Sequence, residues 1–382
     1  MQLITRIQSR FLKYFSCKKL IFIGLILIFS RICFELLRVD LKENPWVLGD
    51  WLINYQDGGF KRRGLSGSFF FLLQDVTGIS LNYLVYFVQL FFYFVFFKTF
   101  YQLISDKQIT IRYFIFIFSP ITFLFLINYP GIVGRKEIIL LTIFSLVAKW
   151  ITQNSYSKKK EIFILISLFI SMFFHELTFF YFPYFIILKV AHTKSKELKI
   201  IDLKNYFFYF LVVFIPFILF YLLGTEINNG KSIEILFQRG IKTKGGIFTW
   251  NKNSIDYVLH YKFHYLLFLI PLLYGTFLFL INYCKKKFTQ LIYLVFLSFV
   301  FSLPLFVLAI DWGRWLFIHF TLILIIVGSL LKENTQYDEN FKQKDFLYLP
   351  LMILNVVITF PHFNKGIMFG SSICKLINKL IQ

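Results

Sequence analysis

Long runs of apolar residues recur along the chain and constrain its fold more than any other feature. A helix needs about 20 mainly apolar residues to cross the hydrocarbon layer of a bilayer. Apolar tracts that predict helices occupy residues 20–37, 81–104, 113–128, 138–151, 162–174, 177–191, 206–223, 264–283, 289–309, 315–331 and 346–361. We therefore predict an all-α, polytopic integral membrane protein with about 11 transmembrane helices, in which residues 1–382 form a single membrane domain.

The composition supports a membrane protein and argues against other classes. Hydrophobic residues make up 58% of the chain and charged residues 16%, whereas about a quarter of the residues in soluble domains are charged. The net charge of +21 could suit nucleic acid, but Lys and Arg lie in short clusters between apolar tracts, where they orient helices and contact anionic lipid. We expect no nucleic-acid partner. Cys17, Cys33, Cys284 and Cys374 lack the spacing of a disulfide framework or a zinc site.

The compact lysine clusters predict the orientation of the helices. Lys18-Lys19, Lys158–Lys160 and Lys285–Lys287 each occupy a short segment beside an apolar tract. Because short basic segments stay in the cytoplasm, we place these clusters and the N-terminus on the cytoplasmic side. No small-residue cleavage site follows the first apolar tract, so we expect a retained helix rather than a cleaved signal peptide.

Three further segments are expected to lie outside the spanning helices. Residues 38–80 form a first external loop, in which the apolar stretch 65–73 is too short to cross and is predicted to be interfacial or re-entrant. Residues 224–262 form a long external loop. The tail 365–382 has apolar residues at roughly helical spacing and is predicted to be an amphipathic helix on the membrane surface.

The unusual polar residues collect on the outer side of this map. They comprise Asp50, Asp57, Arg62 and Arg63 in the first loop, Arg135, Lys136 and Glu137 after the third tract, His175 and Glu176 after the fifth, and Asp311 and Arg314 late in the chain. Ionisable groups at membrane depth are costly and normally face a cavity or a partner. Their convergence predicts a site at the outer membrane boundary, with anion-binding cations and several candidate bases.

Each of these features also has a purely structural interpretation. Asp311 and Arg314 could form a helical i, i+3 pair with interfacial tryptophans on either side. Residues 135–137 could simply begin a helix, and residues 61–63 could form a basic patch on anionic lipid. His362 is expected to meet water or lipid headgroups. The gathering of so many ionisable residues on one side favours a site over these separate explanations.

The residue types in this predicted site indicate a class of chemistry. Arginines bind phosphate in bidentate fashion, and tryptophan and tyrosine rings offer flat apolar faces to sugars. A carboxylate or histidine could deprotonate an attacking hydroxyl while an arginine stabilises a departing phosphate. Together they favour transfer of a glycosyl group from a polyprenyl phosphate or pyrophosphate donor.

The same features resemble two groups of bacterial membrane enzymes. The long, acidic first external loop, the second acidic residue after the third tract and the many short helices resemble the GT-C superfamily of polyprenyl-linked glycosyltransferases. The stretch Gly134–Glu137 at the head of a helix, the His175-Glu176 pair and the late loop with Arg314 resemble the O-antigen and capsule repeat-unit polymerases. The resemblance covers the architecture of nearly the whole chain through short motifs. It implies a GT-C-like architecture and a site on the outer face of the bacterial inner membrane.

The resemblance to GT-C enzymes implies roles for particular acids. The first-loop acid serves as the base in that superfamily, and here Asp50 or Asp57 would match it, with Asp50 favoured because it adjoins Trp51. Glu137 would match the second acid, which in some members helps to hold a divalent metal ion. No other cofactor is expected.

The resemblance to the polymerases implies a different division of roles. A large C-terminal soluble domain, common in GT-C enzymes, is missing here, and this departure favours the polymerases. A carboxylate base is not expected in them, so Arg135, Arg314 and His175 would carry more of the work.

The sequence thus leads to a specific set of expectations. The expected catalytic residues are Asp50, Asp57, His175, Glu176 and Arg314, and the expected substrate or phosphate ligands are Arg62, Arg63, Arg135, Lys136, Asp311 and Trp312. The expected partners are a polyprenyl-linked sugar donor, a glycan or glycolipid acceptor and membrane lipid.

The alternative function is a transporter or flippase for a lipid-linked or anionic solute. Such a protein should carry charged residues in the middle of its helices and helix breaks in repeated halves. Mid-helix charge is nearly confined to Arg31 and Glu35, which at a spacing of four residues are expected to pair on one helix face.

Overall fold

The computed structural model describes residues 17–192, 200–227, 230–243, 245–249, 256, 259, 262–283, 289–333, 347–362 and 368–369. The described part of the chain is mostly helical, with 77% of its residues in helices. This confirms the all-α fold class predicted from the apolar tracts. Most of the tail 365–382 lies outside the described residues, and the amphipathic helix predicted there stays a prediction.

The described helices follow one another along the chain in short and long pieces. They are α1 Cys17–Leu41, α2 Leu48–Trp51, α3 Gly64–Thr77, α4 Leu81–Ile104, α5 Ile111–Ile117, α6 Phe123–Asn128, α7 Pro130–Val133, α8 Glu137–Thr152, α9 Lys158–Phe174, α10 Leu177–Tyr181, α11 Pro183–His192, α12 Ile200–Leu223, α13 Gly230–Gln238, α14 Leu269–Tyr283, α15 Thr289–Ser302, α16 Pro304–Leu308, α17 Trp312–Ser329 and α18 Leu349–Val357. Two 3-10 helices occupy Gly246–Phe248 and Lys262–Phe268.

Two pairs of very short strands join distant parts of the chain. Strand β1 (Phe60–Lys61) pairs in parallel with β2 (Gly224–Thr225), which ties the first loop to the end of α12. Strand β3 (Ile358–Thr359) pairs antiparallel with β4 (Met368–Phe369).

Within the described part of the chain, six helical stretches are long and apolar enough to cross a membrane. They are Cys17–Leu41, Leu81–Ile104, Tyr206–Leu223, Tyr265–Tyr283, Gln290–Leu308 and Trp312–Ser329. This supports a polytopic membrane protein. The other predicted tracts form shorter helices, so the larger number of spans stays a prediction.

The tract 113–128 predicts one helix, but the structure forms two, α5 and α6, with a turn between them. Pro120 lies in this turn, and proline lacks the backbone N–H that a continuous helix needs. The Thr122 hydroxyl donates to the carbonyl oxygens of Phe116 at 2.6 Å and Ile117 at 2.8 Å. These bonds satisfy acceptors that the interrupted helix leaves open. The prediction of a single helix here was wrong.

The apolar stretch 65–73 lies within α3, a helix of 14 residues. Arg63 precedes it in the left-handed conformation, with φ of 68°. Gly67 then lies directly against backbone, because a Cβ there would be 2.3 Å from the carbonyl oxygen of Ile53. The first loop is therefore folded tightly upon itself.

Helix α17 forms the centre of the bundle. All of its 18 residues are buried, and it packs against α4, α8 and α14. Its first residues lie at the same end of the bundle as the beginning of α8 and the end of α9, because Arg314, Glu137 and His175 are in contact. At the opposite end, Lys107 follows α4 and pairs with Glu333, which follows α17. Helix α17 therefore begins at the polar cluster and ends near Lys107, and we call this second end of the bundle the lysine-bearing end.

Candidate functional site

Arg63 links three segments of the chain at the first end of the bundle. Its guanidinium holds the Glu176 carboxylate in a bidentate pair, with Nε at 2.8 Å from Oε2 and Nη2 at 2.6 Å from Oε1. Its Nη1 donates to Asp50 Oδ1 at 2.9 Å. Arg62, which is half exposed, lies 3.5 Å from Glu176. The left-handed backbone at Arg63 turns this side chain toward both carboxylates.

The two carboxylates that Arg63 holds are poor proton acceptors. Burial alone would raise the pKa of Asp50, but Lys136 and Arg63 overcome that effect and hold it well below its usual range. Burial opposes ionisation of Glu176 in the same way, and the charges of Arg63 and Arg62 keep its pKa well below normal. Both groups are therefore expected to stay ionised and to anchor the arginine.

Lys136 is fully buried between the first loop and the start of α8. Its Nζ donates to the Ser66 hydroxyl at 2.8 Å and lies 3.9 Å from Asp50 Oδ1. It also lies over the ring of Trp51, 5.8 Å from the centroid. Burial lowers the pKa of Lys136 to about 8, although the negative charge of Asp50 opposes the shift. The indole of Trp51 donates to the carbonyl oxygen of Gly134 at 2.7 Å, which fixes α2 against the approach to α8.

Glu137 is the first residue of α8 and lies between a histidine and an arginine. Its Oε1 is 3.7 Å from His175 Nε2 and 3.3 Å from Arg314 Nε. The backbone N–H of Leu177 donates to His175 Nδ1 at 3.2 Å, so a neutral ring carries its proton on Nε2 and directs it toward Glu137. Burial and the positive charge of Arg63 hold the pKa of His175 well below its usual value, which favours that neutral ring.

The Asp311–Arg314 pair connects the cluster to His362, which follows α18. Arg314 Nη2 lies 2.7 Å from Asp311 Oδ2, and His362 Nε2 lies 3.6 Å from Asp311 Oδ1. The backbone N–H of Gly313 donates to the carbonyl oxygen of His362 at 2.9 Å. Burial opposes ionisation of Asp311, but Arg314 and His362 lower its pKa.

A small cavity, about 10 Å³, opens between α4, α8 and α17 beside this pair. Its walls are Tyr93, Phe96, Leu126, Ile132, Arg135, Glu137, Ile138, Leu141, Arg314 and Phe317. Five buried polar atoms of these residues have no hydrogen-bond partner. Arg314 Nε and Glu137 Oε1 face one another as an ion pair, whereas Arg135 Nε, Arg314 Nη1 and Glu137 Oε2 have no such contact. Buried polar atoms are normally paired, so unpaired donors and an acceptor at one cavity mark a candidate binding site.

Arg135 stands at the partly exposed side of the cavity. Its Nη1 donates to the carbonyl oxygen of Trp46 at 2.7 Å. Burial and the positive charge of Arg314 lower the pKa of Arg135. Two guanidinium groups that repel one another, with unpaired N–H groups, form a site that an anion would stabilise.

Asp57 lies in a group separate from the cluster, and Trp312 has one face of its ring covered. Asp57 is buried in a separate group, where its carboxylate accepts from Lys61 Nζ and from the Ser232 hydroxyl. This group joins the first loop to α13, and the hydrogen bonds described for Asp57, Lys61 and Ser232 link them to one another and not to Arg63. The ring of Trp312 stacks on Tyr265, with centroids 3.4 Å apart, and its face toward that residue is already covered.

The cluster does not fit the divalent metal ion that the resemblance places at Glu137. Among the described residues, no group of three or more His, Cys, Asp or Glu is arranged to hold a metal. Glu137 faces the cation of Arg314, and Asp50 and Glu176 face that of Arg63. Oxygen ligands already neutralised by arginine are a poor donor set for a hard cation.

Some residues of the cluster were not among those expected from the sequence. Ser66 and the Trp51 indole hold Lys136 and Gly134 in place, and His362 reaches Asp311 instead of standing alone among headgroups. The position of His362 directly after the last apolar tract could have indicated this contact, because that tract returns the chain to the end of the bundle where Asp311 lies.

Comparisons with known proteins add no relative to this description. No protein family, no curated protein and no solved structure matches the chain. The resemblance to polyprenyl-linked glycosyltransferases and polymerases rests on the residues themselves.

Proposed function

We propose that the protein transfers a glycosyl group from a polyprenyl phosphate or pyrophosphate donor to a glycan or glycolipid acceptor. The transfer would take place on the outer face of the bacterial inner membrane, during assembly of a surface polysaccharide. In this proposal the Arg63 cluster faces outward and the lysine-bearing end of the bundle faces the cytoplasm.

The pair of neighbouring cations at the cavity carries the proposal. Arg135 and Arg314 line the same cavity, the charge of Arg314 helps to lower the pKa of Arg135, and both retain unpaired N–H groups. A phosphate oxygen would satisfy the unpaired donor of Arg135, and its negative charge would offset the repulsion between the two cations. Because Arg135 is partly exposed, the phosphate group would bind on its side of the cavity, and Arg135 would stabilise the departing oxygen.

The surroundings of these cations suit an amphiphilic donor. The site lies at the ends of helices whose outer surfaces expose large apolar side chains, as Phe34 of α1 and Phe169 of α9 do. A polyprenyl chain could therefore lie in lipid while its phosphate reaches the arginines. Arg62 adds a half-exposed cation at the rim of the site.

The proposal is tested first by a gel of surface polysaccharide from cells that lack the gene. Loss of the long-chain ladder, with a single repeat unit retained, would support a polymerase. An intact ladder of altered mobility would support a side-branch transferase. An unchanged gel would overturn the proposal in favour of the transporter.

The second test replaces Arg314, with a matched arginine as the control. Arg314→Ala should abolish the product in membranes, while the protein remains there in normal amount. Arg239→Ala removes an arginine that pairs with the exposed Asp75 and should leave the product unchanged. Normal glycan from Arg314→Ala would remove this residue from the mechanism.

A further inference from the structure

We propose that the cavity between Glu137 and Arg314 binds the attacking hydroxyl of the acceptor, and that Glu137 is the catalytic base. This inference rests on the proposed function and deepens it. It assigns the base to the second acid rather than to Asp50, Asp57, Glu176 or His175, all of which the sequence favours.

The carboxylates near the cavity differ in how many of their oxygens take part in hydrogen bonds or ion pairs. Asp50 and Glu176 each accept hydrogen bonds from Arg63, and Asp311 accepts one pair from Arg314. Glu137 makes its ion pair with Arg314 through Oε1, and its Oε2 is buried with neither a hydrogen bond nor an ion pair. Asp50 Oδ2 is also buried without a hydrogen-bond partner, but Asp50 does not line the cavity. A base must have a lone pair free to accept the proton, and Glu137 is the cavity-lining carboxylate that meets this condition.

The cavity offers a hydroxyl both of the contacts that it needs. Glu137 Oε2 is an unpaired acceptor for the hydroxyl proton, and Arg314 Nη1 is an unpaired donor to the hydroxyl oxygen. A volume of about 10 Å³ holds roughly one water-sized oxygen. A phosphate group is too large for this space, so the cavity selects a single hydroxyl and leaves the phosphate outside.

His175 positions the carboxylate without itself accepting the proton. Its Nδ1 is occupied by the backbone N–H of Leu177, and its Nε2 faces Glu137 Oε1 at 3.7 Å. The ring thus contacts Oε1, and Oε2 stays without a partner on a residue that lines the cavity. Arg314 Nε, at 3.3 Å from Oε1, provides a second restraint.

The proposed step balances as a simple substitution. A bond forms between the acceptor oxygen and the anomeric carbon of the donor, and the bond from that carbon to the phosphate oxygen breaks. The hydroxyl proton passes to Glu137 Oε2, and the polyprenyl phosphate or pyrophosphate leaves with the bonding electron pair. The donor and the acceptor supply all of the atoms.

The test measures transfer in membranes that contain the full chain. The probe is the lipid-linked glycan extracted from cells that lack the gene. Glu137→Gln should lower kcat by about 100-fold or more, because it removes general-base catalysis, while KM for the donor changes less than about threefold. A kcat for Glu137→Gln near that of the wild type, with Arg314→Ala inactive, would overturn this inference and leave the proposed function intact. If the wild type itself forms no product from this probe, both fail.

A second variant keeps the test decisive if Glu137→Gln does not accumulate. Glu137→Ala leaves space beside Arg314 that a formate ion can enter, and formate can then act as the base. Added formate should raise the transfer rate of Glu137→Ala at least tenfold and leave Arg314→Ala inactive. No response of Glu137→Ala to formate would contradict the role of the carboxylate.

Discussion

Arg63 offers the most direct measure of how the charged cluster stabilises the fold. It makes three charged hydrogen bonds, at 2.8 and 2.6 Å to Glu176 and at 2.9 Å to Asp50. Both acceptors are poorly exposed, with 14% of the Glu176 side chain and 1% of the Asp50 side chain accessible. Arg63→Gln would therefore leave two buried carboxylates without their main cation.

Breaking a buried ion pair in this way costs about 3–5 kcal/mol. We expect the lower end of this range for Arg63→Gln, about 3 kcal/mol, since two other cations remain. Lys136 stays 3.9 Å from Asp50, and Arg62 stays 3.5 Å from Glu176. The double variant Arg63→Gln, Glu176→Gln removes one of the stranded charges and should recover about 1–2 kcal/mol of the loss.

The assay is equilibrium unfolding in mixed micelles with increasing dodecyl sulfate, followed by tryptophan fluorescence. Arg239→Gln is the matched control, because its partner Asp75 is exposed and such surface pairs contribute at most about 1 kcal/mol. If Arg63→Gln were no less stable than Arg239→Gln, the description of Arg63 as the neutralising centre of the cluster would be wrong.

Three further predictions follow from other contacts. Burial lowers the pKa of His362 to about 4 from an ordinary value of 6.5. As the pH falls, this histidine is therefore protonated in the unfolded chain at a higher pH than in the folded protein. The free energy of unfolding should then fall by up to about 3 kcal/mol between pH 6.5 and 4, and His362→Gln should flatten that part of a pH titration of stability. A Cβ on Gly313 would lie 2.1 Å from the carbonyl oxygen of Pro361, so Gly313→Ala should lower the thermal midpoint by several degrees, whereas Gly131→Ala, which meets nothing within 4 Å, should not. Asp57→Asn leaves its buried lysine partner without a counter-charge and should cost about 3 kcal/mol or more in the same unfolding assay; an unchanged midpoint would show that the pair is not buried in solution.

Much of the helical architecture could be predicted because lipid imposes a simple length rule. The apolar tract 81–104 coincides with α4, and the tract 315–331 differs from α17 by about one turn. The rule does not decide whether a helix shorter than about 20 residues crosses the membrane. Helix α8, with 16 residues, is largely buried among other helices, so its length is free of the bilayer thickness.

Most of the candidate site was also predictable, because alternating helices return the chain repeatedly to the same end. Counting spans places Glu137, His175 and Arg314 together without knowledge of any contact. The contacts themselves were not predictable. The Ser232 hydroxyl reaches Asp57 across 175 positions of the chain, and nothing in the local sequence of either residue indicates the other.

The central position of α17 also determines when during synthesis the site becomes complete. A chain emerging from the ribosome delivers Asp50, Arg63 and Glu137 to the membrane well before Arg314, and the segment with His362 follows last. Until α17 inserts, the carboxylate of Glu137 lacks its arginine and the helices around it lack their core. A nascent chain therefore carries this acid without its counter-charge until the final fifth of the protein has been made.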